Sequence, residues 1–301
     1  MPQSVVCDLF LYADDSCLVY QHKVLSKIEE QSNKDFTNIC DWFVDNKLSI
    51  HFGEDKTKSI LFTTKNKAKR TENLNIKYNN INIKQYSRVT YLGCILDETL
   101  SGESMALHVL NKLNTKLKFL YRKNDFLTKP LRRLLCNALI QPHFDYACSA
   151  WYINLNKNYK SKFQIMQNKC IRFCLKLDKR AHIGAKEFEQ INWLPVEQRF
   201  NQCLCVNTFK FFNDKCPLYL KDIFDPSEHK HMETRTSTLR LNQPLRKTNY
   251  GQKSISFMAP SNWNKLPENV KILENTNLFK HKVKDLYFQK LVSENKNIYA
   301  Y

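Results

Sequence analysis

The first part of the chain combines short apolar runs with one long amphipathic segment. Val5–Tyr12 and Ser16–Tyr20 are rich in β-branched and aromatic residues, and the polar turn Ala13–Asp15 separates them. Two such runs around a short turn predict a β-hairpin. Apolar residues then recur with helical spacing over Val24–Val44, which predicts a helix.

Shorter apolar runs follow the predicted helix and indicate further strands. The predicted strands are Leu48–Phe52, Ser59–Phe62, Ile76–Tyr78, Ile81–Ile83 and Val89–Leu96. The turn Asn79–Asn80 joins two of them into a second hairpin. Strands and a helix in this arrangement predict an α+β domain over residues 1–100.

Helical periodicity replaces the strand pattern after residue 100. Thr128, as a plausible cap, and Pro130, in a first turn, support one of these helices. The predicted helices are Glu103–Lys123, Thr128–Leu139, Pro142–Tyr152, Asn158–Leu177, Pro195–Phe212 and Leu278–Leu291. We therefore predict a helical bundle over residues 101–180, a helical extension over 181–225 and a mostly helical C-terminal region over 226–301. Within this stretch, Lys215–Arg235 is polar and irregular, which indicates a linker.

Positive charge is concentrated in the predicted bundle. The formal net charge is +18, yet residues 1–100 hold 13 basic and 13 acidic side chains. Residues 101–180 hold 16 basic and 4 acidic side chains, and residues 181–301 hold 18 and 12. Because the charge is segregated, we expect the bundle to face a polyanion such as nucleic acid. A general lysine excess that favours solubility is the alternative.

Cysteine usage and hydropathy indicate an intracellular protein, nuclear or cytoplasmic. The 11 cysteines lie mostly within apolar segments, which favours reduced thiols. The pairs Cys170/Cys174 and Cys203/Cys205 lack the partners and spacing of a zinc site. No apolar run approaches the roughly 18–20 residues of a membrane span, so we expect no membrane association.

Asp14 and Asp15 are adjacent carboxylates at the tip of the first predicted hairpin. Two neighbouring negative charges repel each other, and a divalent cation would remove that repulsion. Magnesium prefers carboxylate oxygens, and two-metal phosphoryl transfer needs carboxylates that hold both ions. A solvated aspartate-rich turn without metal is the alternative.

An ordered set of segments resembles the reverse transcriptases of non-LTR retrotransposons. Tyr12-Ala13-Asp14-Asp15 is similar to the YxDD motif of reverse transcriptases. Further segments resemble the next palm motif with its lysine loop, the primer-grip strand and two C-terminal stretches of that family. These segments are Leu48-Ser49-Ile50 with Lys56-Thr57-Lys58 and Ile60-Leu61-Phe62, then Val89–Asp97, Leu139–Tyr146 and Asn192–Val196. The ordered set is more specific than any one motif, and it covers most of residues 7–225.

The resemblance implies a partial polymerase palm, an antiparallel sheet with a helix, over residues 1–100 and a thumb over 101–180. Asp14 would be a metal ligand and Asp15 the second carboxylate, with Mg²⁺ or Mn²⁺ as cofactor. Lys56, with Lys58 as a rival, would lie near the triphosphate or leaving group.

The resemblance also implies a primer grip. Tyr91, Leu92 and Gly93 would support the end of the DNA primer on its RNA template. Plain strand packing is the alternative for Tyr91 and Leu92.

Catalysis by this family needs parts that the resemblance does not cover. Family members carry fingers and an aspartate-bearing palm strand before YxDD, whereas eleven residues precede Tyr12. Asp8 lies on the same predicted strand as Asp14 and roughly 20 Å away, too far to share a metal. We therefore expect a nucleotidyltransferase fragment that is inactive alone and uses magnesium only when another chain supplies the missing ligand.

The helix predicted over Glu103–Lys123 has an apolar stripe and a cationic face. The stripe consists of four leucines at helical spacing: Leu110, Leu113, Leu117 and Leu120. No acid lies four residues from the lysines of the other face to neutralise them, and two arginines follow nearby. We predict contacts to the phosphates of a duplex by Lys112, Lys116, Lys123, Arg132 and Arg133. A solvated helix face is the alternative.

Two other interpretations remain open. The chain is an active polymerase if a partner or a longer transcript supplies the missing strand, or it is an unrelated basic nucleic-acid-binding or interaction protein with an accidental Tyr-Ala-Asp-Asp turn. Trp151, Trp193 and Trp263 are expected to be core residues rather than base-stacking platforms.

Overall fold

The computed structural model describes residues 5–53, 56–68, 73–217, 220 and 240–293. The chain divides into two compact units, Met1–Ser104 and Met105–Tyr301. The protein combines a majority of helices with small antiparallel sheets, which is compatible with the predicted α+β class. None of the helices in the described ranges is both long and apolar enough to cross a bilayer.

The first unit contains three two-stranded antiparallel hairpins in its described residues. Their strands pair in sequence order, β1 with β2, β3 with β4 and β5 with β6. The strands are β1 Asp8–Tyr12, β2 Asp15–Val19, β3 Ile76–Tyr78, β4 Ile81–Ile83, β5 Arg88–Tyr91 and β6 Cys94–Asp97. The helices of this unit are α1 Leu25–Asp45 and the short α2 Lys65–Ala68. The first two hairpins and α1 confirm the predictions.

Helix α1 fixes the start of β1. Asp35 is buried, and its Oδ2 accepts hydrogen bonds from the backbone N–H groups of Val6 at 3.1 Å and Cys7 at 3.2 Å. These bonds satisfy donors that the two-stranded ladder leaves unpaired. The hairpin that carries the two aspartates is therefore tied to a helix at its open end.

Three strand predictions in the first unit were wrong. Val89–Leu96 is not one strand but a hairpin that turns at Leu92 and Gly93. Leu48–Phe52 forms no strand, and of Ser59–Phe62 only Ser59 makes an isolated bridge, to Gln85. In this stretch the side chains pack although the backbone forms no strand ladder: the Phe52 ring stacks on the Tyr78 ring, with 5.8 Å between centroids.

The regular elements in the described residues of the second unit are helices. The longer helices are α3 Glu103–Arg122, which begins at the unit boundary, α4 Lys129–Leu139, α7 Lys157–Leu175, α9 Val196–Phe212 and α13 Thr276–Ser293. The shorter ones are α5 Gln141–Asp145, α6 Cys148–Trp151, α8 Ala185–Ile191, α10 Asn249–Gln252, α11 Ile255–Trp263 and α12 Glu268–Lys271.

Most of the predicted helices are confirmed, and one is broken. Thr128 precedes α4 with Pro130 in its first turn, as predicted, but the Thr128 side chain makes no capping hydrogen bond. Pro142–Tyr152 is not one helix, because Ala147 adopts a left-handed φ of 48° and divides it into α5 and α6. The sequence patterns also missed α8 and α10–α12. Most of the linker predicted at Lys215–Arg235 lies outside the described residues.

One hydrophobic core joins the predicted extension to the C-terminal region. Phe209 of α9 stacks on Phe279 of α13 at 4.2 Å, and Trp263 of α11 lies 5.9 Å from the same ring. All three side chains are fully buried. The segments before and after residue 225 therefore share a core rather than forming separate ones.

The three tryptophans confirm the core prediction. Trp151, Trp193 and Trp263 are at most 3 % exposed. The indole N–H of Trp151 donates to the Tyr146 carbonyl at 3.0 Å, and that of Trp193 donates to Asn137 Oδ1 at 2.9 Å. A buried indole with a satisfied N–H has no face left for a base.

Candidate catalytic turn and nucleic-acid interface

The two aspartates lie at a two-residue hairpin turn. Tyr12 pairs with Asp15 as the last pair of the β1–β2 ladder, so Ala13 and Asp14 form the loop. Ala13 has a left-handed φ of 52°, which costs a non-glycine residue roughly 1–2 kcal/mol. The closed strand pair holds this conformation and presents both carboxylates at the tip.

The side chains of this tip face solvent. Asp14 and Asp15 are exposed, and Tyr12 is 65 % exposed. Two adjacent exposed carboxylates suit Mg²⁺, which is bound through one or two carboxylates and keeps several waters. The donor set therefore fits one hard divalent cation with open positions for phosphate oxygens.

The third hairpin turns through two left-handed residues. Tyr91 pairs with Cys94, and between them Leu92 has φ 46° and Gly93 has φ 72°. Two positive φ values in a two-residue loop are typical of a type I′ turn, for which Gly93 is well suited. Leu92 is a large side chain in a strained conformation, and it is exposed.

This third hairpin lies near the aspartate hairpin. Partial burial raises the pKa of the Tyr91 phenol, and Cys17 and Asp15 of β2 raise that pKa further. The Tyr91 phenol is therefore within electrostatic reach of the strand that carries Asp15. The structure thus brings together two segments that are 76 residues apart, Asp15 and Tyr91.

The two candidate lysines of the loop differ in their surroundings. Lys56 is exposed, and its backbone N–H donates to the Gly53 carbonyl at 2.9 Å. Lys58 places its Nζ over the Tyr86 ring, 5.2 Å from the centroid. Because Lys58 is engaged in this cation–π contact, Lys56 is the better candidate for a substrate phosphate.

None of the other acids in the described residues of the first unit completes a metal site with Asp14. Asp8 pairs with Val19 at the opposite end of the hairpin, roughly 13 Å along the strand from Tyr12. No group of three potential metal ligands occurs among the described residues. A further carboxylate for a second metal ion is thus not found beside the turn in the described part of the chain.

Asp97 has a structural role at the entrance to α3. Its Oδ1 accepts from Thr99 N, Thr99 Oγ1 and Ser101 N at 3.2, 2.8 and 2.9 Å. Its Oδ2 accepts from Ser101 Oγ at 3.0 Å and Gly102 N at 3.1 Å. Five donors occupy the carboxylate, which excludes it as a metal ligand.

Asp97→Asn is expected to lower stability by about 1–2 kcal/mol at pH 7. Burial alone raises the pKa of Asp97, but the hydrogen bonds from Ser101 and Thr99 outweigh it and lower the pKa below 3.8. The stabilisation is therefore complete above the unfolded pKa and declines as the pH falls through the lower folded pKa. Thermal denaturation should show the difference between wild type and variant shrinking below pH 4.

Asp45→Asn is the matched control for this prediction. Asp45 is an exposed carboxylate at the end of α1. We expect this variant to unfold at the same temperature as the wild type at every pH. A constant difference between Asp97→Asn and wild type from pH 7 to pH 3 would contradict the role given to Asp97.

In the second unit, α3 separates apolar and cationic faces. Its buried stripe is Met105, Ala106, Val109, Leu113, Leu117 and Leu120. Leu110, predicted to belong to this stripe, is only half-buried. Lys112 and Lys123 are exposed and Lys116 is half-buried, and none of them forms an ion pair with an acid in the described segments.

Two histidines adjoin this cationic face and were missed in the sequence. Burial lowers the pKa of His143 in α5, and Lys116, Lys112 and His108 lower it further. His108 precedes Lys112 by one helical turn, so helical periodicity alone would have placed it there. His143 lies in α5, 27 residues after Lys116, and comes near the lysines of α3 only because the chain folds back. Lys112 and Lys116 therefore define a positive patch on α3, and the imidazoles of His108 and His143 lie beside it.

Arg132 does not belong to a nucleic-acid interface, contrary to the prediction. It is 3 % exposed and donates to the carbonyls of Leu127 at 3.0 Å, Phe173 at 3.1 Å and Asn124 at 2.7 Å. Its guanidinium also lies 4.9 Å from the centroid of the Phe173 ring. Because these contacts occupy the guanidinium group, the Arg132 side chain links α4 to the C-terminal end of α7 and is not available to a phosphate.

Arg133 is exposed and lies in a second region of positive charge. Burial, together with the charges of Arg199, Lys280 and Arg133, lowers the pKa of Lys284 in α13 to about 8. The Lys284 ammonium donates to the Asn192 carbonyl at 2.6 Å. Arg133 is therefore available to a phosphate, and α13 contributes cations that no sequence pattern indicated.

No match to this chain emerges from comparison with protein-family models, with curated proteins or with solved structures. Its function is therefore inferred from its own residues.

Proposed function

We propose that this chain provides palm and thumb portions of an RNA-directed DNA polymerase of the non-LTR retrotransposon kind. It binds an RNA template paired with a DNA primer and contributes the Asp14–Asp15 motif to the catalytic site. The observation that carries the proposal is the exposed aspartate turn, whose backbone is fixed by the Tyr12–Asp15 pair at the end of the β1–β2 ladder.

The aspartate turn holds the cation in this proposal. Asp14 is the metal ligand and Asp15 the neighbouring carboxylate, both on a tip whose backbone is fixed by the Tyr12–Asp15 pair. Magnesium, or manganese, would neutralise charge on the incoming triphosphate. Lys56 is the exposed cation assigned to the leaving phosphate.

The Tyr91–Cys94 hairpin positions the primer. Leu92 and Gly93 form its tip, and Tyr91 lies on the side near Asp15. A rigid type I′ turn can hold a primer end at a constant distance from the aspartates. The positive patch on α3 contacts the duplex backbone, where cations give affinity without reading bases.

In this proposal, synthesis requires a carboxylate from outside the described residues. Asp8 lies at the far end of the hairpin, and the oxygens of Asp97 are already occupied. Two-metal phosphoryl transfer needs ligands for both ions. A chain with fingers and an aspartate-bearing palm strand would supply them.

Primer extension on an RNA template tests this proposal. We expect no extension by the purified chain alone with Mg²⁺ or Mn²⁺. Addition of a fingers-and-first-strand fragment from a non-LTR reverse transcriptase is expected to restore synthesis. Asp14→Asn should then reduce the rate about 100-fold or more, because a metal ligand stabilises the charge of the transition state.

Asp45→Asn serves as the matched control, because it removes an exposed carboxylate away from the turn. Extension that is insensitive to Asp14→Asn would contradict the catalytic role. Duplex binding without extension in the mixture would favour the alternative, a basic nucleic-acid-binding protein without polymerase activity.

A further inference from the structure

Cys148 and Cys203 form a pair of thiols between two helices. Cys148 lies on α6 and Cys203 on α9, and these helices pack against each other. The two thiols lie close enough to interact, and the interaction raises the pKa of Cys148 and lowers that of Cys203. Cys148 is 3 % exposed, whereas Cys203 is half-buried and open to small reagents.

The surroundings of Cys203 stabilise its thiolate. Asn207, one turn along α9, directs its Nδ2 to the Cys203 sulfur at 3.9 Å. The interaction with Cys148 lowers the pKa of Cys203 below its ordinary value against the opposing effect of burial, and Ser149 and Lys210 act in the same direction as Cys148. Asp145 acts in the opposite direction. A thiolate with donors on several sides is the nucleophilic form of cysteine.

A second thiol pair in the same unit has none of this accessibility. Cys136 of α4 and Cys174 of α7 also lie close enough to interact, but they are 0 % and 1 % exposed. The hydrogen bond to Cys174 and burial raise the pKa of Cys136, and Cys174 donates to the Arg132 carbonyl at 3.9 Å. Buried neutral thiols of this kind are inert.

We propose that Cys148 and Cys203 are a redox-active dithiol that closes to a disulfide when a peroxide oxidises Cys203. Cys203 of α9 is half-buried and meets the peroxide first, so it is the attacking residue. Cys148 of α6 is buried and resolves the oxidised sulfur. This site is independent of the aspartate turn and of the cationic face of α3.

The reaction proceeds in two balanced steps. The Cys203 thiolate attacks one oxygen of hydrogen peroxide, which breaks the O–O bond, forms a sulfenic acid and releases hydroxide. Cys148 then loses its proton and attacks the sulfenic sulfur, forming the S–S bond and expelling hydroxide. In sum, two thiols lose two electrons and two protons, and peroxide becomes two waters.

Alkylation of the reduced, full-length protein is the first test. We expect iodoacetamide at pH 7 to modify Cys203 about tenfold faster than Cys17, measured by peptide mass spectrometry. Cys17 is the matched control, because it is also half-buried while burial raises its pKa. Cys148→Ala should slow alkylation of Cys203, since it removes the principal donor to the thiolate.

Oxidation with stoichiometric hydrogen peroxide is the second test. We expect a peptide cross-linked between Cys148 and Cys203, with the loss of two hydrogens, while Cys136 and Cys174 stay reduced. Cys203→Ala should abolish the cross-link, and Cys148→Ala should leave a sulfenic acid on Cys203 that dimedone traps. Circular dichroism checks that both variants fold.

Either of two results would overturn the proposal. One is alkylation of Cys203 no faster than that of Cys17, which needs no variant. The other is a Cys136–Cys174 cross-link that forms as readily as the Cys148–Cys203 cross-link. Both comparisons use the wild-type protein, so they hold even if Cys148→Ala fails to fold.

Discussion

Lys112→Ala, Lys116→Ala and Lys123→Ala, combined in one variant, are expected to weaken binding of an RNA–DNA duplex about 100-fold at physiological salt. Each phosphate contact releases about one counterion, so three lost contacts reduce the slope of log K against log salt by about 2.7. The buried stripe of α3, which includes Leu113 and Leu117, is untouched. Stability should therefore stay within about 1 kcal/mol of wild type.

Fluorescence anisotropy with labelled hybrids at several salt concentrations measures this effect. Two duplexes of different sequence should lose affinity equally, because backbone contacts do not read bases. Lys157→Ala, Lys169→Ala and Lys265→Ala, combined, remove the same charge from exposed lysines outside α3. An equal loss in this control variant would show a general charge effect and remove the α3 face from the proposed interface.

Arg132→Ala is expected to destabilise the protein by about 3 kcal/mol or more, whereas Arg133→Ala leaves its stability within about 0.5 kcal/mol. Arg132 satisfies three buried or half-buried carbonyls and packs on Phe173, so its removal leaves acceptors without donors. Arg133 is exposed and loses only charge. The two neighbours make a matched pair with one residue type.

Urea unfolding separates these two variants by their free energies of unfolding in water. Duplex binding gives the reciprocal result, since Arg133→Ala should lower the salt slope by about one and Arg132→Ala should not, at temperatures where both are folded. A stable Arg132→Ala protein with a reduced salt slope would instead place Arg132 at the phosphates.

Local patterns in the sequence were sufficient for the hairpin of the aspartates and for the long helices. The β1–β2 hairpin and α1 depend on residues close along the chain, so periodicity and turn chemistry predict them. The same rules failed at Leu48–Phe52, where Phe52 stacks on Tyr78 and meets Phe36 edge-on at 6.3 Å. Because an apolar run that packs as a loop has the same composition as a strand, the local pattern does not distinguish the two.

The turn at Leu92 shows a different limit of sequence patterns. A leucine before a glycine at a left-handed position does not signal a type I′ turn as Asn-Gly does, so Val89–Leu96 was predicted to be one strand. The residues on either side of the turn do form strands, as their β-branched composition predicts. The turn itself holds because the strand pair closes around it.

The sequence by itself determined which chemistry is available: two adjacent carboxylates in a hairpin turn, and a helix with leucines on one face and lysines on another. Only the tertiary structure decided which groups are free to act. Arg132 and Arg133 are consecutive arginines. Arg132 is buried and donates a hydrogen bond to the carbonyl of Phe173, 41 residues further on, whereas Arg133 is exposed. Cys148 and Cys203 meet in the same way, because burial and hydrogen-bond partners arise from contacts between distant residues that no local periodicity encodes.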